Sequence, residues 1–315
     1  MTTIQETNNI LTKLKIKTID VDSTANKQLF SNKDLLGKGR NATVYKSYID
    51  NKPVSIKIMD LYLDTPLIKT FNMTQIISQT GINDIIISNL LSRSNYPTMQ
   101  KFYGYQLTEK HIILVKEYCD YDLKTFINNN IQNSSLISNI LIHTLFAIKQ
   151  NFQNIVQGYF VDTKIENILV KKYNEPYLIY NIGDNISKVK TYGYIPVLTD
   201  FGASVITKVG DDLLLINRHH DWKPKYEEKR NTTYDKIHEN IINLESVSKD
   251  YVLDKSFDIF QLFFVNIYLK KNSLANNWII KEYIKQLKEY GIVDLNSYKS
   301  NTVTIDDFLD KLNYK

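Results

Sequence analysis

Residues 161–170 read VDTKIENILV, which sets Asp162, Lys164 and Asn167 at i, i+2 and i+5 in front of an apolar Ile-Leu-Val run. A second acid, Asp200, stands before Phe-Gly in LTDFGAS. Buried strands rarely open with an acid, a base and an amide, so these residue types point to a ligand. Each turn adjoins an apolar strand, and a hairpin between them would bring the two together. Two acids and a carboxamide oxygen make a hard donor set of the kind Mg²⁺ takes, with substrate phosphates completing its shell. In such a site Lys164 offsets charge on a transferring phosphoryl group and Asp162 accepts a hydroxyl proton.

Two further stretches fit a phosphate-bearing ligand. Residues 37–44, GKGRNATV, place Gly37 and Gly39 in a loop between two strands. That context excludes the strand-to-helix phosphate loops of P-loop and dinucleotide-binding folds. Glycine there lets backbone N–H groups approach phosphate oxygens, and Val44 would cover the face of a base; a plain tight β-turn explains the same residues. In VSIKI, Lys57 stands among apolar residues at a period of two. An ammonium on a buried strand face needs an anionic partner, whereas a lysine snorkelling from an edge strand does not.

These residues need a β-rich unit and a helical one. From Leu35 to Asp60 the sequence predicts three strands with a turn at Asp50-Asn51; residues 65–95 are read as helical and mixed, and strands follow near 100–106 and 111–117. Beyond them DLKTFINN, SLISNILIHTLFAIKQNFQ, FDIFQLFFVNIYLKK, NNWIIKEYIKQLKEYG and TIDDFLDKLNYK carry helical spacing, with Gly291 as a stop and Thr304 with Asp306-Asp307 as a start. The polar residues 1–30 are read as a loosely attached extension.

Composition bounds the class. With 43% apolar residues in 315 the chain can bury a sizeable core, and a net charge of +5 suits phosphate ligands without making a nucleic-acid-coating surface. The single Cys119 excludes an internal disulfide, and the N-terminus lacks the basic-then-apolar layout of a signal peptide. The expected setting is therefore intracellular. The longest apolar run contains Asp258, Gln261 and Asn266 and is too short for a bilayer, so no membrane span is expected.

In their order, these motifs resemble the eukaryotic-type protein kinases, over about residues 31–270. GKGRNATV stands for the glycine-rich loop, VSIKI for the lysine strand, FVDTKIEN for HRDLKxxN and TDFG for DFG. The resemblance implies an α+β, bilobal fold with a small β-rich N-lobe (31–117) and a larger α-rich C-lobe (118–315). It implies ATP and Mg²⁺ as ligands. Lys57 would bind the α- and β-phosphates, Asp162 would be the catalytic base, and Asn167 and Asp200 would hold the metal. Lys164 favours a serine or threonine acceptor. Glu117, Tyr118 and Cys119 would be the hinge whose backbone reads adenine. Asp258 resembles the acid that braces the catalytic loop, although a helix cap explains it equally.

The departures are as informative. Phe160 and Val161 replace the His-Arg pair, which implies a loop held by packing and no control through a phosphorylated activation loop. Ala42 replaces the third loop glycine. No Glu stands ready to partner Lys57; Asp84 in INDIIISNLL is the candidate, one methylene shorter, and solvation of an exposed acid is the alternative. No Ala-Pro-Glu follows DFG, and Lys116 falls at the gatekeeper position. The interval from Asn167 to Asp200 exceeds the usual hairpin, and YNIGDNISKVKTYGYIP is expected to extend it. Such an insertion with an eroded HRD resembles the divergent kinases of large DNA viruses. In RHHDWKPKYEEKR, His219, His220 and Asp221 suggest a metal less than a solvated loop favouring acidic protein substrates. The implied function is a Ser/Thr protein kinase; a pseudokinase scaffold and a small-molecule phosphotransferase are the alternatives.

Overall fold

The computed structural model describes residues 4–20, 29, 33–39, 42–61, 68–71, 74–77, 80–155, 158–182, 185–206, 255–293, 297 and 302–314. The stretch RHHDWKPKYEEKR lies outside them. The fold is mixed α+β and divides into two compact units. The first holds the described residues through Asp120 together with those from Val197 to 206. The second holds Tyr121–Pro196 and the described residues from 255 onward.

In the first unit a helix α1 (Ile4–Lys13) precedes β1 (Asp34–Lys38), β2 (Ala42–Ile49) and β3 (Lys52–Asp60). Asp50 and Asn51 both take positive φ, 48° and 61°, the left-handed pair that a two-residue hairpin turn requires and that Asp and Asn tolerate best after Gly. A short hairpin follows, β4 (Ile68–Phe71) with β5 (Thr74–Ile77), then helix α2 (Thr80–Arg93), β6 (Phe102–Leu107) and β7 (His111–Glu117). Part of the stretch expected to be helical is thus a β-hairpin. The main sheet is antiparallel with order β1-β2-β3-β7-β6. Against one face Ile19 and Leu29 pack with Val54, Ile56, Ile113 and Val115. Helix α2 lies close to Met59 and Ile112, and a Cβ at Gly81 would sit 2.6 Å from Ile112 Cδ1.

The N-terminal stretch is docked, not loose. Ile19 N–H donates to the Tyr105 carbonyl and Tyr105 N–H to that of Lys17, while the Tyr105 hydroxyl reaches Asn8. Leu11, Ile16 and Ile19 are buried. Gly104 makes the approach possible: a side chain there would meet the Lys17 carbonyl at 2.8 Å, on a backbone with φ of 153°.

The second unit begins with β8 (Tyr121–Asp122) and α3 (Leu123–Asn129), whose N-cap Asp122 accepts the Thr125 N–H at 2.7 Å. Helix α4 (Ser134–Ile148) continues through wide π-type turns to Ile155, and β9 (Gly158–Tyr159) and β10 (Ile168–Lys172) follow, β10 pairing with β8. The inserted segment forms a hairpin, β11 (Tyr177–Ile182) with β12 (Asn185–Lys190). Its alternation buries Leu178, Tyr180, Ile182, Ser187 and Val189, and Tyr180 stacks on Phe146 of α4. Strand β13 (Tyr194–Leu198) carries the chain back toward the Asp-Phe-Gly turn and β14 (Val205–Ile206).

Helix α5 (Phe257–Ile259) runs on in wide turns to Leu269 and is buried almost throughout. Helices α6 (Trp278–Glu289) and α7 (Ile305–Lys311) cover it through edge-to-face contacts among Phe263, Tyr283 and Phe308. Thr304 and Asp307 form the capping box of α7, and Gly291 stops α6 at φ of 77°. Among the described residues no helix is long and apolar enough to cross a membrane.

Candidate functional site

The first unit assembles a quartet of charges. Register places Lys57 directly opposite Val44 on one side and Leu114 on the other, so the lysine strand lies beside the strand that follows the glycine loop. Lys57 Nζ is 2.9 Å from Asp84 Oδ2 and 2.6 Å from Asp200 Oδ1. Asp84 is fully buried, which rules out the solvated-acid reading. Its Oδ1 accepts from Lys116 Nζ at 2.7 Å, Ser88 Oγ at 3.0 Å and the Phe201 N–H at 3.2 Å. Lys116 itself, 3% exposed, lies 5.2 Å above the Phe201 ring centroid. The side chain enters the core and is paired there.

Electrostatics follow from this packing. Burial disfavours the Lys57 ammonium, but Asp200 and then Asp84 more than offset it and hold its pKa above the usual lysine range. Burial likewise opposes the Asp84 carboxylate, yet Lys116 and Lys57 hold it well below the ordinary value. Lys116 is pulled down by burial, with Asp84 opposing. The neighbouring Asn83 was not singled out in the sequence. Its amide donates to the carbonyls of Phe201, Gly202 and Ser204, so adjacent residues of α2 fasten both side and backbone of the Asp-Phe-Gly turn. The available signal was a polar Asn-Asp pair inside an apolar helix. Asp200 takes φ 61° and ψ 67°, a left-handed conformation of the kind that collects at functional sites.

Gly37 and Gly39 are uncrowded among the described residues. A Cβ at Gly37 would meet nothing within 4 Å, and at Gly39 only the Ala42 carbonyl, whose oxygen accepts the Gly39 N–H. Neither glycine is demanded by crowding. At the end of β7 the Glu117 carbonyl accepts from the Gln100 amide at 2.7 Å and from the Ser55 hydroxyl at 3.1 Å. Two internal donors therefore occupy the carbonyl expected to read a base. Cys119 is half-buried just beyond it.

The second unit assembles the other cluster. Asp162 Oδ2 accepts from Lys164 Nζ at 2.7 Å and from the Asn167 amide at 2.9 Å, and the same amide caps the Asp162 carbonyl. With its nitrogen so engaged, Asn167 has its carbamoyl oxygen left as a donor for a cation. Phe160 is buried against Phe152, and Val161 holds a left-handed φ of 66°, unusual for a β-branched residue. What holds that backbone is Asp258: its carboxylate accepts the N–H groups of Phe160 and Val161 at 3.1 and 2.8 Å. Burial pushes its pKa up to about 6, against those two donors. Asp258 braces the loop and does not cap α5. Gln261 adds a second brace by accepting from the Thr163 N–H and hydroxyl, and Asn266 donates to the Thr163 carbonyl.

Asp162, Lys164 and Asn167 belong to the second unit, and Gly37, Gly39, Val44, Lys57, Glu117, Cys119 and Asp200 to the first. Among the described residues no group of three or more His, Cys, Asp or Glu side chains could hold a metal ion. Asp200 is 41% exposed. His219, His220 and Asp221 lie outside the described residues. No protein-family model matches this chain, and a search of curated proteins finds no match to it.

Proposed function

We propose that this protein is an ATP-dependent Ser/Thr protein kinase of bilobal fold, transferring the γ-phosphoryl group of Mg-ATP to protein hydroxyls. The observation that carries the reading is the pairing of Lys57 with Asp84 of α2 and with Asp200 of the Asp-Phe-Gly turn. Phosphoryl transfer asks a protein chiefly for positioning and charge stabilisation, and a lysine held between two carboxylates is a preorganised phosphate contact. A bound Mg²⁺ would supply neutralisation of charge on the transferred group. Asn167 and Asp200 would hold it.

In this reading Asp162 accepts the proton of the acceptor hydroxyl, while Lys164, already on its carboxylate, offsets charge on the moving phosphoryl. The open glycines at 37 and 39 leave room for backbone to approach phosphate, and Val44 covers the base. With the Glu117 carbonyl engaged by Gln100 and Ser55, base recognition falls to the backbone about Cys119. The Asp258 and Gln261 braces take over the support that a His-Arg pair would give.

Two observations favour a second reading, a pseudokinase. The Glu117 carbonyl is already satisfied, and Asp200 is engaged by Lys57 at 2.6 Å. Purified protein with Mg-ATP and acidic and basic acceptor proteins separates the two. Asp162→Ala is expected to keep ATP binding and lose about 10²- to 10⁴-fold in transfer, whereas Asp200→Ala weakens Mg-ATP binding as well. Equal phosphorylation by both variants and the parent would overturn the kinase reading, and Mg-dependent binding without transfer to any acceptor would establish the second.

A further inference from the structure

We propose that Lys116 is a positioning residue that sets the charge of the Lys57 site: by sharing Asp84 it leaves Lys57 available to a polyphosphate. The inference rests on the phosphoryl-transfer reading and adds a component that reading does not require. A lysine paired with one carboxylate makes a neutral couple and offers an incoming anion little net field. Here the buried carboxylate serves two ammonium groups, Lys57 through Oδ2 and Lys116 through Oδ1. Asp200 completes the balance, so the quartet of two lysines and two aspartates is neutral as it stands.

The four groups differ in freedom. Asp84 and Lys116 are 0% and 3% exposed and cannot reorganise without opening the core, whereas Asp200 is 41% exposed. Asp200 is therefore the member able to turn away toward another cation. The remaining trio then carries one net positive charge, and Lys57, the more exposed of its two lysines, is the one able to present it. Without Lys116, withdrawal of Asp200 would leave only the neutral couple. Lys116 is also fixed at right distance by its own strand: it lies opposite Ser55 in the β3–β7 register, two positions from Lys57, and its ammonium stands over the Phe201 ring. A core position between Val115 and Glu117 has no packing need for a charge, and an apolar side chain of this length would fill it at lower desolvation cost.

The test measures binding of inorganic tripolyphosphate to the full chain by calorimetry in the presence of a chelator, so that no metal or turnover is involved. Four proteins are compared: parent, Lys116→Met, Asp84→Asn and the double variant. At an effective dielectric near 20, a unit charge lost even about 10 Å away weakens an anion by at least tenfold. Lys116→Met is expected to lose about that factor and to show a shallower dependence on salt. Asp84→Asn binds at least as tightly as the parent, and the double variant, with charge balance restored, regains most of the loss.

A merely structural role gives the opposite pattern, in which both single variants weaken binding and the double is worst; that pattern, or parental affinity in Lys116→Met, overturns the inference. If Lys116→Met does not fold, Lys116→Arg, which keeps the charge, must retain parental affinity, and its loss overturns the inference too. A parent chain that binds neither tripolyphosphate nor Mg-ATP overturns this inference and the phosphoryl-transfer reading together. Parental binding with unchanged variants removes this inference alone.

Discussion

Asp84 receives four donors, from Lys57, Lys116, Ser88 and the Phe201 backbone, and it does so with no exposure to water. Removing it strands the buried Lys116 ammonium and leaves Lys57 to Asp200 alone, and breaking a buried pair by deleting one partner costs about 3–5 kcal/mol. Asp84→Ala should therefore lower the unfolding free energy from urea titration by that amount, and a change under about 1 kcal/mol would show that the lysines find water instead. The need of Lys57 for an anion was legible in its apolar surroundings, and Asp84 was legible as a candidate. Its burial was not, because a lone acid at the start of an apolar helix reads alike whether it faces solvent or core. Nor was Asn83, whose three carbonyl partners lie more than a hundred residues further along the chain.

At the scale of elements, the inserted hairpin is held to α4 by His143. Nε2 of His143 lies 3.0 Å from the Lys190 carbonyl, which can only accept, so Nε2 carries the proton and Nδ1 accepts from the Tyr180 hydroxyl at 2.8 Å. Burial lowers the His143 pKa from the ordinary imidazole value of 6.5 to about 4. A depressed folded-state pKa means the unfolded chain binds the proton first, so this contribution is present above pH 6.5 and is lost as pH falls through about 4. Thermal melts of the parent should drop between pH 6.5 and 4, and His143→Gln should flatten that slope; an unchanged slope would place the acid sensitivity elsewhere. The brace on the Phe160–Thr163 backbone makes a second element-scale test. Asp258→Asn can accept only one of the Phe160 and Val161 N–H groups, and an orphaned buried donor costs about 1–3 kcal/mol. The insertion was readable as a hairpin from its alternating Tyr, Ile and Val. The β4–β5 hairpin was missed because its short run of mixed residues satisfies neither period.

For the molecule as a whole, the first twenty residues count toward the fold. Leu11, Ile16 and Ile19 are buried, Ile19 within the cluster of Val54, Ile56, Ile113 and Val115. At about 1.5–3 kcal/mol for each buried aliphatic side chain, their loss approaches the whole margin of a typical domain. Deleting residues 1–20 should depress the melting temperature by at least about 10 °C or leave the chain insoluble; parental stability would return the segment to the status of a loose extension. Its docking was hidden because polar residues dominate its length, and the site that receives it is made by a glycine, Gly104, nearly ninety residues further on.

The sequence by itself determined the local frame. Alternation marked β2, β3, β6 and β7, helical spacing marked α3 to α7, and the order of Gly37, Lys57, Asp162, Asn167 and Asp200 marked the residues worth following. These signals are local, since pleat and helix period are written in neighbours a few positions apart. Tertiary structure alone decided which charges are paired: Lys57 with Asp200 across 143 residues and Lys116 with Asp84 across 32. A buried charge is tolerated only with its counter-charge beside it, and that neighbour is chosen by how strands and helices stack, which no run of adjacent residues records.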